Sequence, residues 1–433
     1  MSARRKILVL EDKPERIADF EKAALQLGAG YELKIWQEGY SMRDECEPLF
    51  PDAALISLND NFVLKFLAEC RPVCSVILHA GDSAQDASME HELISRGWII
   101  EQVATDSPGS IEAVWVPKAK ELLARHENTW PARLPKDHQA RMQRALLSLD
   151  GLSVGDAFGE CFFGNPSVAE RRIEQRDPPP APWSYTDDTT MALSIIRCLK
   201  RYGHIEREAL AASFAREYAR DPRRGYGGTA HGILQAIGSG TPWQNAAGCV
   251  FNGEGSCGNG GAMRSAPIGA YFADDFERVV TEARASAEVT HAHPDGQTGA
   301  IAVALAAGWI AQDSGAARKS GMGLLEFVLE RVPQTETYYR LKRALDLPLH
   351  LSPQTVAQRL GNGSQVIASD TVPFCLWCAA RHLNNFQDAI WSTVSAYGDI
   401  DTNCAIVGGI VALSAGRASI PTEWLKAREG FNV

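Results

Sequence analysis

Hydrophobic positions are spaced in two different ways along this chain. Between residues 6 and about 125, short apolar runs alternate with amphipathic stretches. Ile7–Leu10, Ala53–Leu58 and Val73–Leu78 are apolar runs closed by polar turns, the pattern of strands buried on both faces of a parallel sheet. Ile17–Leu27 carries helical periodicity, and Val114–Ala124 reads as a closing helix. Strands alternating with helices predict an α/β layer domain over residues 1–125. His126–Pro135 holds two prolines and little periodicity, so 126–137 reads as a linker.

From residue 138 to 433 strand signals nearly vanish. Helical spacing predicts helices at Arg141–Gly151, Thr189–Tyr202, Arg207–Ala219, Thr229–Ile237, Phe276–Val289, Gly299–Gln312, Asp370–His382 and Ala405–Ala415. The loops between them are rich in Gly, Pro and Asp. The expected fold class is therefore multidomain, an N-terminal α/β domain followed by an all-α domain large enough to bury a substantial core. No internal repeat stands out.

Composition narrows the function classes. With 45% hydrophobic and 22% charged residues the chain reads as globular, not disordered. A formal net charge of -10 argues against nonspecific binding to nucleic acid or anionic membranes. No uninterrupted apolar run reaches the ~18 residues of a membrane span, so no membrane partner is expected. The N-terminal MSARRKILVLEDKPER places acids straight after a short apolar run and reads as a strand, not a secretory signal. Ten cysteines (Cys46, Cys70, Cys74, Cys161, Cys198, Cys249, Cys257, Cys375, Cys378 and Cys404) are scattered through apolar contexts, as reduced thiols of a cytoplasmic protein are. Cys375 and Cys378 form a CxxC in a helix-like stretch with no second pair, which favours a packed helix face over zinc or redox chemistry.

Candidate chemistry lies in two acidic motifs. Tyr185-Thr186-Asp187-Asp188-Thr189 and Gly398-Asp399-Ile400-Asp401-Thr402 each open a helical stretch. Helix capping explains one acid per motif and leaves the second unexplained. Carboxylates with threonine hydroxyls are hard oxygen ligands suited to Mg²⁺, Mn²⁺ or Ca²⁺. If the motifs converge, four carboxylates share one volume and repel unless cations balance them. Between them lies the glycine-rich Phe251-Asn252-Gly253-Glu254-Gly255-Ser256-Cys257-Gly258-Asn259-Gly260-Gly261-Ala262-Met263-Arg264, which reads either as a tight turn before a helix or as a loop whose amides approach phosphate oxygens. Its GxGxxG spacing follows no strand and is a weak dinucleotide signal. His291 and His293 are spaced as a metal pair but lack a third ligand nearby, which favours hydrogen bonding to a substrate hydroxyl or phosphate.

On these motifs residues 140–433 resemble the ADP-ribosylglycohydrolase family, of the dinitrogenase-reductase-activating glycohydrolase type. The similarity runs through GLSVGDAFGE (151–160), YTDDTTM (185–191), FAREYARDPRRGYGG (214–228), FNGEGSCGNGGAMR (251–264), THAHPDGQTGA (290–300), LGNG (360–363) and GDIDT (398–402). DPRRGYGG and the glycine loop resemble the branch acting on O-linked, serine-type or polymeric ADP-ribose. The arginine-specific branch places an acid near GYGG, where this chain has Arg223, Arg224 and Gly225, with Asp221 upstream. The resemblance implies an all-α fold and a two-ion Mg²⁺ site, with Mn²⁺ as the alternative. It implies metal ligands Thr186, Asp187, Asp188, Asp399, Asp401 and Thr402. It further implies a diphosphate cradle at Gly255, Ser256, Gly258 and Asn259, an ADP-ribose contact from His291 and adenine stacking on Phe251. Cys257 stands where that branch has an aromatic residue.

The family's glutamate, seven residues after the Asp of its GD motif, is here Phe163, and the nearest acid is Glu160, expected to reach the site from a shifted loop. Glu160 and Asp401 are thus the expected catalytic residues of a hydrolase that frees ADP-ribose from an ADP-ribosylated protein or other acceptor, nucleic acid included. A catalytically weak ADP-ribose-binding or inhibitory module is the alternative, and a Mg²⁺-dependent phosphohydrolase a third. Residues 1–125 resemble a receiver-like domain. ILVLED (7–12) matches its first strand and acidic pair, and Ser57 replaces the phosphoacceptor Asp. VILHAGD (76–82), through His79, is also similar to the cyclic-phosphate-processing receiver-like family, whose acidic cluster is here Leu58-Asn59-Asp60. The expected role is recognition or scaffolding.

Overall fold

The computed structural model describes residues 5–10, 14–27, 31–36, 53–58, 76–79, 99–102, 111–121, 134–312 and 320–432. The chain divides into two units, Met1–Arg133 and Leu134–Val433.

In the first unit β1 (Arg5–Leu10), β2 (Tyr31–Trp36), β3 (Ala53–Leu58), β4 (Val76–His79) and β5 (Ile99–Gln102) form one sheet in the order β2-β1-β3-β4-β5. Every pairing is parallel, with Val9 opposite Ile35 on one side and Ser57 on the other. The order, with β1 between β2 and β3, is that of a doubly wound sheet. Helix α1 (Pro14–Ala24) follows β1 and buries Phe20 and Ala23. Phe20 meets Trp115 edge-on at 5.2 Å, and Ile111, Trp115, Val116 and Ala119 bury the same face of the helical stretch 111–121. Glu11, Asp12, Cys46, Asn59, Asp60, Cys70, Cys74, Gly81 and Asp82, with 73–75 and 122–133, lie outside the described residues, as do the side chains of Ser57 and His79.

The second unit is helical. Its axis is α2 (His138–Glu160), paired antiparallel with the last long helix. The sequence pattern ends α2 at Gly151, yet the helix continues to Glu160. Gly151, Gly155 and Gly159 lie on one face, four residues apart, and are a groove rather than a break. A Cβ on Gly155 would sit 2.1 Å from the Cys404 carbonyl oxygen, one on Gly151 2.3 Å from that of Gly408, and one on Gly159 2.7 Å from the Asp401 Cα. Bare backbone at these positions lets the two helices approach, which outweighs the weak helix propensity of glycine.

Four further helices frame the site: α3 (Asp187–Tyr202), α4 (Pro294–Ala311), α5 (Ala368–Arg381) and α6 (Ile400–Ala415), the partner of α2. α4 is apolar on all sides, and Thr298–Gly308 is buried throughout, as a helix through the middle of a large core must be. Beneath the C-terminal end of α2, Phe158 stacks on Trp424 at 4.5 Å and meets Trp183 and Trp391 edge-on. Cys375 and Cys378 are fully buried on α5, and burial pushes both thiols up, the Cys378 thiol to about 12, so the CxxC is packed core holding protonated thiols. No described helix is long and apolar enough to cross a membrane.

Candidate active site

The two acidic motifs converge. Asp187 and Asp188 occupy the first turn of α3, behind the Thr186 N-cap. Asp399 occupies the N-cap position of α6 without a side-chain capping hydrogen bond, and Asp401 stands in the first turn. Acids belong at helix N-termini, where the macrodipole is positive, but one carboxylate per end suffices. Carboxylate oxygens of Asp188, Asp401 and Asp156 lie within 4.8 Å of one another. Asp156 is 0% exposed and Asp188 1%. None of Asp156, Asp187, Asp188, Asp399 and Asp401 forms an ion pair with a basic residue among the described residues. Burial pushes Asp156 up to about 6 against the pull of its threonine donors, while burial and neighbouring aspartates push Asp187 to about 8 and raise Asp188 and Asp401 well above the carboxylate range.

The oxygens differ in how they are satisfied. Asp156 accepts from the amide and hydroxyl of both Thr186 and Thr189, at 2.5–3.1 Å. Its lone pairs are filled, so it orients the start of α3. Asp188 Oδ2 lies 3.0 Å from Thr186 Oγ1 and 3.5 Å from Thr402 Oγ1, whereas Asp188 Oδ1 and Asp401 Oδ1 are buried with no partner. A buried carboxylate oxygen without a donor is costly, and two of them in one cluster of hard oxygen donors fit a divalent cation. Asp399 is held by Asn259 Nδ2 at 2.6 Å, and Asn259 also donates to Thr371 Oγ1 at 3.0 Å.

The glycine loop is pinned to the same acids. Its Asn259 amide donates to Val366 O, the Ala368 amide donates to Cys257 O, and Gly258 pairs with Ile367. Within the expected cradle the Gly255 amide donates to Val250 O and the Gly258 amide to Ser256 Oγ. Asn259 is likewise engaged through both backbone and side chain, so it ties the loop to Asp399. The amides of Ser256 and Cys257 have no protein acceptor among the described residues. Phe251 is 57% exposed at the loop's edge. Phe251, Asn252, Val366 and Tyr397, all on segments flanking the acids or the loop, are non-glycine residues at φ between +52° and +58°. Left-handed backbone at bulky residues is strain that concentrates at functional sites.

Glu160 is the last residue of α2 and does not ride on a loop. It lines a cleft of about 340 Å³ together with Tyr185, Thr186, Arg223, Arg224 and Glu429. Burial and then Asp156 raise its carboxyl above the usual range. Phe163, three residues on, is 48% exposed. His291 is buried, with Nδ1 2.7 Å from Thr290 Oγ1, whereas His293 caps α4 by accepting the Asp295 amide. The two histidines therefore do different jobs.

Asp156 is the residue that motif reading passes over. A lone carboxylate inside the small apolar run GLSVGDAFG is its signal, because burying it requires partners.

Comparisons with known proteins agree on one family. The family model described as ADP-ribosylglycohydrolase matches residues 137–432. A protein named ADP-ribosylhydrolase ARH3 from Homo sapiens is 28% identical over 324 residues, spanning 65% of this chain and 88% of its own length. Its counterpart from Xenopus tropicalis is 29% identical over 328 residues (67% and 93%), and that from Gallus gallus 32% identical over 277 residues (57% and 74%).

Proposed function

The chain belongs to the ADP-ribosylglycohydrolase family, a family of glycosidases, and from that premise we propose that it hydrolyses the bond between the distal ribose of ADP-ribose and an acceptor, O-linked acceptors being favoured, with Mg²⁺ as the resident cation. The observation that carries the metal reading is the pair of buried, unpartnered oxygens, Asp188 Oδ1 and Asp401 Oδ1, in a cluster whose aspartates form no ion pair with a basic side chain among the described residues. Thr186, Asp187, Asp188, Asp399, Asp401 and Thr402 are the residues that would hold two Mg²⁺ ions, or Mn²⁺ in their place. Such ions supply positive charge that balances the acids and a template for the ribose hydroxyls.

The chain's own groups do the rest. Asp156 fixes Thr186, and Asn259 fixes Asp399, so the acids keep their geometry without rearrangement. Glu160, its carboxyl raised above the usual carboxylate range and lining the cleft, would give a proton to the acceptor oxygen. In that step the bond from the anomeric carbon to the acceptor oxygen breaks with its electron pair on oxygen, and oxygen takes the Glu160 proton. A water then adds to the anomeric carbon and returns a proton to Glu160. The Ser256 and Cys257 amides, without a protein acceptor among the described residues, would bind the diphosphate, and the exposed Phe251 ring would stack on adenine. Binding these remote groups positions the reacting sugar.

A catalytically weak ADP-ribose-binding or inhibitory module stays the second reading because Phe163 fills the family glutamate's place. A panel of serine-, arginine- and nucleic-acid-linked ADP-ribose, assayed with wild type and Glu160→Gln, separates the two. Release from the serine-linked substrate that falls about 10²-fold in the variant supports the hydrolase. ADP-ribose binding without release supports the module, and release of inorganic phosphate a phosphohydrolase. For the first unit we propose a receiver-like recognition or scaffolding role, supported by its parallel strand order and by Ser57 at the end of β3.

A further inference from the structure

Behind the glycine loop three buried side chains form a hydrogen-bonded chain that no step above uses. Arg264 is 0% exposed and its guanidinium lies 4.4 Å from the Phe214 ring centre. Its Nη2 donates to Ser286 O at 2.8 Å and to Thr290 Oγ1 at 2.9 Å. Thr290 Oγ1, in turn, is 2.7 Å from His291 Nδ1. The imidazole lies directly under the loop. A Cβ on Gly258 would stand 3.2 Å from both His291 Nε2 and Ser256 Oγ, and one on Gly260 3.0 Å from His291 Cε1. Glycine at these positions leaves the ring's Nε2 edge uncovered, and Nε2 has no protein partner among the described residues.

The direction of each proton follows from donor chemistry. Arginine only donates, so the Thr290 oxygen accepts from Arg264. Thr290 is 1% exposed, and its one other partner among the described residues is His291 Nδ1. If Nδ1 carried a proton, the hydroxyl would accept twice and its own hydrogen would be buried with no acceptor, which is unfavourable. Donation from Thr290 to Nδ1 gives both the Thr290 hydrogen and Nδ1 a partner. It leaves Nδ1 bare and the imidazole proton on Nε2. Burial and the Arg264 charge together hold the His291 pKa down to about 3, so the ring is neutral.

We propose that Arg264 and Thr290 are positioning residues that lock His291 as the Nε2–H tautomer, so that the loop presents a fixed imidazole donor beside the Ser256 hydroxyl, suited to an anionic phosphate oxygen. That the anion belongs to ADP-ribose rests on the function proposed above; the tautomer does not.

The test has two arms on the full-length chain. In ¹⁵N-histidine-labelled, ligand-free protein, NMR is expected to show His291 protonated at Nε2 and bare at Nδ1 at neutral pH. A dominant Nδ1–H tautomer or an imidazolium overturns the proposal. Thr290→Val keeps the side-chain shape and removes the donor, so it is expected to mix the two tautomers and to weaken ADP-ribose binding about tenfold in calorimetry, with kcat changing less than KM. Thr290→Ser is expected to restore both readouts. Thr290→Val retaining the wild-type tautomer overturns the proposal, as does a Thr290→Ser chain that folds normally yet behaves like Thr290→Val. Wild type that shows the Nε2–H tautomer but no affinity for ADP-ribose supports the lock and contradicts the functional reading.

Discussion

Two groups of acids in the helical unit are treated in opposite ways. On the side of Arg224 the acids have cationic partners. The Arg224 guanidinium forms a two-pronged pair with Glu429 at 2.6 and 2.8 Å, reaches Asp221 at 3.0 Å and donates to the Tyr185 carbonyl at 3.0 Å. At the starts of α3 and α6, Asp187, Asp188, Asp399 and Asp401, with Asp156, have no such partner among the described residues. The buried Arg264 points its hydrogen bonds at Met191, Ser286 and Thr290 instead. Glu429 is held below the usual carboxylate range by Arg224, while Asp156 and Asp187 are pushed above it. The same residue type is thus neutralised from within the chain in one place and left for an outside partner in the other. The first arrangement is self-contained; the second groups carboxylate oxygens close enough to hold a metal ion.

Breaking each side tests the contrast. The largest effect is expected at Asp401, whose unpartnered oxygen is central to the second group. Asp401→Ala should lower ADP-ribose release by about 10³-fold or more, several kcal/mol of lost stabilisation, with the fold unchanged by circular dichroism. Turnover within tenfold of wild type would remove the metal assignment.

The pH dependence of stability sharpens the comparison. A carboxyl whose pKa is raised on folding holds its proton in the native state after the unfolded chain has lost it. Between the unfolded value, near 4, and the folded values, about 6 for Asp156 and about 8 for Asp187, the native state binds more protons. Stability of the metal-free protein therefore falls as pH rises through that window. Thermal melts in chelator from pH 5 to pH 8 should show Tm dropping, and added Mg²⁺ should restore most of the loss, with a larger gain at pH 8 than at pH 5. A Tm in chelator that rises over this range contradicts the unbalanced-charge account.

Next in size is the close approach that brings Asp156 to Asp401. Gly155→Ala places a methyl against the Cys404 carbonyl and should cost about 1–3 kcal/mol in urea unfolding, together with weaker Mg²⁺ binding. The smallest effect belongs to the paired side. Glu429→Gln removes half of a partly exposed ion pair, so stability should change by about 1 kcal/mol or less and turnover by no more than a few-fold. A loss there as deep as that of Asp401→Ala would erase the distinction between the two groups.

Much of this site is legible in the sequence because its information is local. Thr186-Asp187-Asp188 and Asp399–Thr402 declare themselves by holding one acid more than a helix start needs. The parallel sheet is legible in its short apolar runs at β1, β3 and β4, less so in β2, whose Tyr31–Trp36 alternates apolar with charged residues. What escapes local reading depends on a partner far along the chain. Gly151, Gly155 and Gly159 look like helix breakers until α6 lies against them, and only then does α2 run on to carry Asp156 and Glu160. Asn259 looks like a loop donor for phosphate until Asp399, far along the chain, takes its side chain. The proton on His291 is set by Arg264, whose side chain the sequence pattern cannot place.

The most direct test of the central claim is release of ADP-ribose from a serine-ADP-ribosylated peptide by the full-length protein, followed in Mg²⁺, in chelator, and after Mg²⁺ is returned. Release in Mg²⁺, its loss in chelator and its recovery on readdition are predicted. Undiminished release in chelator would contradict the account.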